Sequence, residues 1–184
     1  MKVKPVVITL ALLLLLGGVC FAFSYRAIED PTYKGKRYSE WLYGTGQNRR
    51  EALKGIGAEA APFLMHEFEA RDSLLKVKLL AVLPQKTKDM LGLRPANVRR
   101  SRSFCAFVGI ANQAECAVPS LCKLLEDPDP DLARRAASAL GYMGEAAEPA
   151  VPLMTDLLPE ADPILEKQLR RSLGRIERSV RRDG

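Results

Sequence analysis

A repeat of 33 residues is the sequence feature that most constrains this chain. Residues 150–158 match residues 117–125 at five of nine positions. The same shift aligns the apolar residues of 106–110 with those of 139–143. A unit of this length cannot bury its apolar surface alone, so such units stack side by side and share one core. The repeat therefore predicts a domain whose contacts are made mainly between neighbours in the sequence.

Each unit has the pattern of two helices. Between Leu132 and Met143, apolar residues recur at intervals of three and four positions, as on one face of a helix. Gly144 is expected to end that helix, while Pro149 and Pro152 stand near the start of a second one, where a missing backbone N–H is tolerated. No segment alternates apolar and polar residues over six or more positions, so no strand is predicted.

The motifs of the best-defined unit follow a recognisable order. Within residues 134–158, Arg-Arg, Ala-Leu-Gly-Tyr-Met-Gly, Pro-Ala-Val-Pro and Leu-Leu succeed one another. This order resembles HEAT repeats, and among them the short subtype labelled phycobilisome-lyase HEAT-like. The matching units are residues 48–70, 98–125, 131–158 and, as half a unit, 163–182. The resemblance implies an all-α fold, a short α-solenoid of HEAT-like helix pairs preceded by an amino-terminal transmembrane or signal helix.

Two polar or irregular segments interrupt the units. Between residues 72 and 95 the pattern breaks, because the apolar residues of 74–82 predict a helix whereas residues 85–93 fit no unit. An acidic run at 127–131 separates two units, and its last residue, Asp131, is expected to cap the helix that follows. We therefore predict one helix that is extra to the repeats and one polar turn.

The segment before the first unit has its own resemblance. Residues 31–42 resemble a leader that precedes the repeats in exported bacterial HEAT proteins, such as those of Verrucomicrobia and Planctomycetes. There Ser39 is expected to cap a short helix. Trp41 and Leu42 are expected to pack on the first repeat, so that the leader forms a lid over the end of the core.

An apolar amino-terminal segment precedes all of these elements. Residues 6–25 carry no charged side chain, and a helix of that length spans the hydrocarbon core of a bilayer. We expect an uncleaved transmembrane anchor; the alternatives are a cleaved signal peptide and a lipoprotein that uses Cys20 as the lipid acceptor. The chain then divides into an anchor or signal peptide at 1–25, a leader and lid segment at 26–46, and a repeat domain at 47–184.

The charges on either side of this segment bear on its orientation. Lys2 and Lys4 favour a cytoplasmic amino terminus, whereas the basic residues between 26 and 37 oppose export. A short basic start followed by a long leucine run is typical of segments that keep their amino end inside. We therefore expect a single-pass membrane protein whose repeat domain lies outside the cytoplasm, or a secreted or periplasmic domain if the segment is cleaved.

The sequence offers little material for catalysis or metal binding. It has one histidine, His66, in a predicted helix where we expect it to face solvent. There is no glycine-rich phosphate loop, no dinucleotide fingerprint and no Cys-x-x-Cys pair. We predict no catalytic residue, no cofactor and no metal site.

Three cysteines belong to a single repeat. Cys116 and Cys122 are six residues apart on a predicted helix, on different sides, so they cannot bridge each other. Cys105 lies on the partner helix, within reach of one of them. Two possibilities stay open: three partly buried thiols, or one disulfide between Cys105 and Cys116 or Cys122 in an oxidising compartment.

Basic residues recur through the repeats of a chain whose formal net charge is +6. Arginine pairs near the first helices are explained by solvated surfaces and ion pairs between helices, or by a basic ridge that binds an acidic protein, anionic lipid headgroups or a polyanion. The candidate residues of that ridge are Arg170, Arg171, Arg175 and Arg178. We expect no nucleic-acid partner, because the arginine-rich end lacks aromatic side chains.

The repeat pattern predicts a non-enzymatic scaffold that binds a protein partner, as yet unidentified. Its binding face would be lined by the second helices, where Glu67, Lys123 and Asp156 are expected to be exposed. The alternative, implied by the resemblance to the lyase-like subtype, is an enzyme or chaperone that acts on the cofactor of a partner protein. A purely structural protein of the cell envelope is the third possibility.

Overall fold

The computed structural model describes residues 30–44 and 49–183. The predicted transmembrane segment at 6–25 lies outside these residues, so the anchor and its alternatives stay predictions. Within the described part of the chain, no helix is both long enough and apolar enough to cross a membrane.

The described chain begins with a small β-hairpin. Strand β1 (Thr32–Tyr33) pairs in antiparallel fashion with β2 (Lys36–Arg37), with Tyr33 opposite Lys36. The sequence did not predict this hairpin, because strands of two residues are too short to show an alternating pattern.

The remainder of the fold is helical. The helices are α1 (Tyr38–Tyr43), α2 (Arg49–Ile56), α3 (Ala61–Phe68), α4 (Leu74–Val82), α5 (Gln85–Met90), α6 (Ala96–Gly109), α7 (Val118–Leu125), α8 (Pro130–Met143), α9 (Val151–Asp156) and α10 (Pro163–Asp183). Short 3₁₀ segments join the members of three pairs, α2 with α3, α6 with α7, and α8 with α9. These pairs occur where the repeat places its units, and α10 takes the position of the half unit. The prediction of an all-α repeat fold is confirmed.

Small side chains let the last helices pack closely. Ala136, Ala137 and Ala139 of α8 are buried, as the sequence suggested. The carboxyl-terminal helix α10 packs along α8, and Gly141 faces Ser172 so closely that a Cβ atom on Gly141 would lie 2.6 Å from Ser172 Oγ. Glycine at this position therefore sets the distance between the two helices.

The first helix of the structure differs in detail from the predicted lid. Helix α1 begins at Tyr38, and Ser39 lies inside it, where its backbone N–H and hydroxyl donate to the Asp30 carboxylate at 3.0 and 2.5 Å. Leu42 is buried in the core as expected. Trp41 contacts the hairpin, where its indole N–H donates to the Tyr33 carbonyl at 3.1 Å, and its packing on the first repeat as a lid stays a prediction.

The acidic turn caps the next helix two residues earlier than predicted. Pro130 is the first residue of α8, and the Asp129 side chain accepts a hydrogen bond from the Asp131 N–H at 3.0 Å. Proline fits the first helical position because its missing N–H has no partner there, which places the cap at Asp129. Asp131 lies in the first turn instead and pairs with Arg134 and Arg135.

The segment between the first and second pairs stands apart from the stack. Helix α4 forms where the sequence predicted it, and α5 is a short helix that the pattern did not reveal. Neither α4 nor α5 has a buried residue. The core runs instead through α1, α2, α3 and the helices from α6 to α10.

Candidate functional site

A cleft of about 710 Å³ lies between the first repeat and the segment that follows it. Helix α1 contributes Tyr43, α3 contributes Glu67 and α6 contributes Arg99. Arg94 and Leu93 line it from the loop before α6. The cleft therefore combines residues that are up to 60 positions apart in the sequence, from Ser39 to Arg99.

A buried carboxylate forms the centre of this cleft. Glu67 is 7% exposed, and Arg99 donates to it through Nε at 3.0 Å and Nη2 at 2.7 Å. The Tyr43 hydroxyl donates to the same carboxylate. A bidentate arginine and a tyrosine together satisfy both oxygens, so this group stays ionised although it is buried.

The electrostatics of the pair follow from these contacts. Burial by itself would raise the pKa of Glu67, but the hydrogen bonds from Arg99 and Tyr43 and the Arg99 charge lower the pKa below its ordinary value. Burial and the adjacent Glu67 carboxylate raise the pKa of Tyr43. Tyr43 is therefore a hydrogen-bond donor at neutral pH, and the arrangement is suited to fixing α1 against α3 and α6.

Arg94 lies beside this network with a different environment. Its guanidinium stacks on the Tyr43 ring at 4.0 Å from the ring centroid. No ion pair joins it to a carboxylate of residues 30–44 or 49–183. A flat cation that is held on an aromatic face can still receive a carboxylate from a partner.

The expected exposure of Glu67 is wrong. Sequence periodicity placed this residue on the free side of α3, but Tyr43 and Arg99 approach that side and bury it. The sequence did hold a signal, because Glu67 is the one carboxylate between positions 60 and 68, where every other residue except His66 is apolar. An acid in such a run indicates a buried ion pair. Arg94 and Tyr43 could not have been found in this way, since nothing in their local sequence marks them.

The two other positions predicted on second helices are exposed. Lys123 lies on α7 and Asp156 on the last residue of α9. They do not adjoin the cleft, which is lined by other residues. Whether they bind a partner stays a prediction.

Helix α10 carries a stripe of cations along its outer side. Its 21 residues span about 30 Å. Successive steps of four, four, three and four residues keep the stripe within about 80° of the helix circumference. We call this surface the basic ridge, and its members are Lys167, Arg171, Arg175, Arg178 and Arg182.

The residues of the basic ridge differ in their contacts. Arg175 stacks on the Tyr142 ring at 4.3 Å, which fixes its guanidinium in place. The predicted residue Arg170 lies off the stripe and pairs with Glu166 at 2.8 Å. Considering the described residues alone, no ion pair joins a carboxylate to Arg171 or Arg178, which are both exposed. The ridge is therefore a surface of uncompensated positive charge.

The arginines of the repeats themselves form ion pairs, some between helices and some within one helix. Arg100 is 8% exposed, donates to the Ala70 carbonyl at 2.8 Å and pairs with Asp129 at 2.8 Å. Arg135 pairs with Asp131 at 2.8 Å. The interpretation as an ion pair between helices is confirmed for Arg100, and the basic ridge is a cationic surface that stays available to a partner.

The thiols and the histidine form no site with one another. Cys105 and Cys116 are exposed and Cys122 is half-buried, and all three are free, so the disulfide alternative is wrong for this structure. Burial raises the pKa of the Cys122 thiol. His66 is half-buried, with Nδ1 3.8 Å from Glu67 Oε1. Within the described ranges, no three His, Cys, Asp or Glu side chains are grouped as metal ligands.

Comparison with known proteins gives one match. No curated protein and no solved structure matches the chain. A model of the Armadillo/beta-catenin-like repeat matches residues 110–144. These residues cover the 3₁₀ segments after α6, all of α7 and all of α8. Proteins with such repeats generally use them to bind other proteins. Residues 110–144 are thus similar to an armadillo repeat, and together with the stacked helix pairs they fit the fold of a HEAT-repeat protein.

Proposed function

We propose that this protein is a non-enzymatic, membrane-anchored scaffold that uses its basic ridge to bind an acidic protein outside the cytoplasm. The observation that carries the proposal is the ridge itself, a row of cations on α10 with two exposed arginines that have no carboxylate partner among the described residues. An armadillo-like repeat next to this surface supports a role in protein binding.

The shape of the ridge favours an extended partner. Its members follow one side of a helix about 30 Å long, and Tyr142 holds Arg175 in position by stacking. Fixed guanidinium groups bind carboxylates at a lower cost in side-chain entropy than mobile ones. A segment with several Asp or Glu side chains at helical or extended spacing fits such a row.

The proposal includes the anchor at residues 6–25. This segment is uncharged and long enough to span a bilayer, and four residues separate it from the first described residue, Asp30. Its orientation is testable with the exposed thiols of Cys105 and Cys116. In intact cells that express the full chain, an impermeant maleimide should label these thiols before lysis. Labelling only after lysis would contradict the location outside the cytoplasm.

The ridge is tested with a defined acidic probe. The full chain in nanodiscs of neutral lipid is titrated with fluorescent poly-L-glutamate, and binding is followed by anisotropy. We expect Arg171→Glu and Arg178→Glu each to weaken binding at least about fivefold. The control Lys54→Glu makes the same charge change on α2 and should alter the affinity less than about twofold.

Three results would overturn this assignment. The first is an absence of binding at low salt, and the second is an equal loss in Lys54→Glu. The third is tighter binding of heparin than of polyglutamate, because a sulfated polyanion would then be the better ligand.

A further inference from the structure

The segment α4–α5 exposes apolar side chains to an unusual degree. Of the eleven large apolar residues that are exposed in the described chain, seven lie between positions 74 and 91. Leu74 is 83% exposed, Val82 is 82% exposed and Met90 is 80% exposed. A helix that is apolar on nearly every side is normally buried in protein or in lipid. Something outside the described chain is therefore expected to cover this segment.

The charges of the same segment are mostly of one sign. Residues 74–90 contain four lysines and one acidic residue, Asp89, which accepts a hydrogen bond from Gln85. Lys76 pairs with Asp72 at 2.6 Å, whereas Lys78 and Lys86 are exposed and have no ion pair with the described residues. Lysines that alternate with leucine and valine are typical of helices that lie in a membrane interface, because the long side chains reach the headgroups while the apolar residues enter the acyl region.

The position of the segment agrees with such a surface. Lys76 of α4 and Glu40 of α1 line the same cleft, so α4 begins beside the first helix of the structure. Residues 26–29 separate the predicted anchor from Asp30, and four residues reach at most about 14 Å. An anchored chain therefore holds this end of the domain close to the bilayer.

We propose that α4–α5 is a membrane-docking segment that inserts its exposed leucines and valines into the surface of an anionic bilayer. The placement of the segment rests on the anchor in the proposed function, whereas the apolar and cationic character of α4 does not. A second copy of the chain, or residues 1–29, would cover the apolar side chains without using the lysines. The lysines favour anionic lipid.

The test measures the depth of single positions in the full chain. A cysteine-free background is made with Cys20→Ala, Cys105→Ser, Cys116→Ser and Cys122→Ala. An environment-sensitive fluorophore is then placed at Leu75→Cys, at Val82→Cys or, as a control on the distant helix α9, at Asp156→Cys. Each protein is reconstituted in nanodiscs that contain anionic and brominated lipids. We expect lipid quenching at positions 75 and 82 to be at least about threefold greater than at 156.

The contribution of charge is tested with matched double variants. Lys78→Glu/Lys86→Glu should reduce quenching at position 82 at least about threefold in anionic nanodiscs. Lys54→Glu/Lys123→Glu carries the same charge change on α2 and α7 and should leave the quenching unchanged. Circular dichroism of each variant checks that the fold is retained.

The outcomes separate this inference from the proposed function. Equal quenching at positions 75, 82 and 156 overturns the inference, and so does a blue-shifted fluorophore that brominated lipid fails to quench, because protein would then be the cover. Unchanged quenching in Lys78→Glu/Lys86→Glu overturns the role of anionic lipid. A fluorophore at Leu13→Cys reports the anchor independently, so a failed anchor and a failed docking segment give different results.

Discussion

Helices α4 and α8 show that the more apolar of two helices need not be the more buried. Seven of the nine residues of α4 are apolar, yet none is buried. Helix α8 contains two arginines, two serine or tyrosine residues and an aspartate, yet eight of its fourteen residues are buried. The two helices differ in burial because only α8 has other helices packed closely against it. Alanines and Gly141 on α8 let α7 and α10 approach closely, whereas α4 lies outside the stack.

The largest expected effect comes from truncating a leucine to alanine in α8, compared with the same substitution in α4. Leu140 of α8 is fully buried, so Leu140→Ala should lower the free energy of unfolding by about 3 kcal/mol, through lost burial and the cavity it leaves. Leu75 of α4 is 70% exposed, and Leu75→Ala should change the free energy of unfolding by less than about 0.5 kcal/mol. Urea denaturation of the two variants measures both. Comparable losses would show that α4 is packed like α8.

A smaller loss of stability is expected when a methyl group is added where α8 and α10 are in close contact. A Cβ at position 141 would lie 2.6 Å from Ser172 Oγ and 2.9 Å from its Cα. Gly141→Ala should therefore destabilise the protein by about 2 kcal/mol, because the helices must separate. Gly174→Ala on α10 meets no atom within 4 Å and should stabilise by about 0.5 kcal/mol, through helix propensity alone. Thermal melts that move in the same direction would refute the close approach.

The Glu67 network should make the stability of the first repeat sensitive to pH. The pKa of Glu67 in the folded protein lies below the ordinary value of 4.5. The stabilisation is therefore fully present above pH 4.5 and is lost as the pH falls through the pKa of the folded state. Glu67→Gln should cost about 1.5 kcal/mol at pH 7, and the difference from wild type should shrink below about pH 4.5.

The difference between the two curves isolates Glu67 from the other carboxyl groups. Interactions with Ala96 and Lys76 also lower the pKa of Asp72, against the effect of its burial, and this contribution is common to both proteins. A difference that stays constant from pH 7 to pH 3 would contradict the assignment.

The smallest effects are expected from removing one helix cap in each region. Asp129→Ala removes the cap of α8 and a partner of Arg100, so it should cost about 1 kcal/mol in a thermal melt. Ser73 caps α4, because its hydroxyl accepts a hydrogen bond from the Lys76 N–H at 3.2 Å, and Ser73→Ala removes this cap. This change should leave the melt unaffected but speed tryptic cleavage after Lys76 and Lys78. A lowered melting temperature in Ser73→Ala would show that α4 contributes to the global fold.

The helix pairs were predictable because the apolar spacing of each repeat, with Gly and Pro at the helix ends, lies within about 30 consecutive residues. Gly144 shows how local that information is: it ends α8 with a φ of 60°, as the sequence predicted. The hairpin was missed although Lys34 and Gly35, both at positive φ, mark a tight turn. Helix α5 was missed because five of its six residues are polar, and it lies between Pro84 and Gly92 without any apolar period.

The cleft could not be predicted from local patterns. Its centre depends on Tyr43, Glu67 and Arg99, which lie on three helices, and on an inserted segment that brings Arg94 beside them. Periodicity alone placed Glu67 in solvent, because it gives the side of a helix and not what covers that side. The basic ridge was easier to anticipate, since a single helix carries all of its residues.

Hydrogen exchange of the full chain in nanodiscs of neutral lipid tests the central claim most directly. If the protein is a stack of helix pairs with α4–α5 outside it, amides of α8 and α10 should exchange only through global unfolding, whereas those of α4 should exchange orders of magnitude faster. Equal protection of α4 and α8, or fast exchange throughout α8 and α10, would contradict the account.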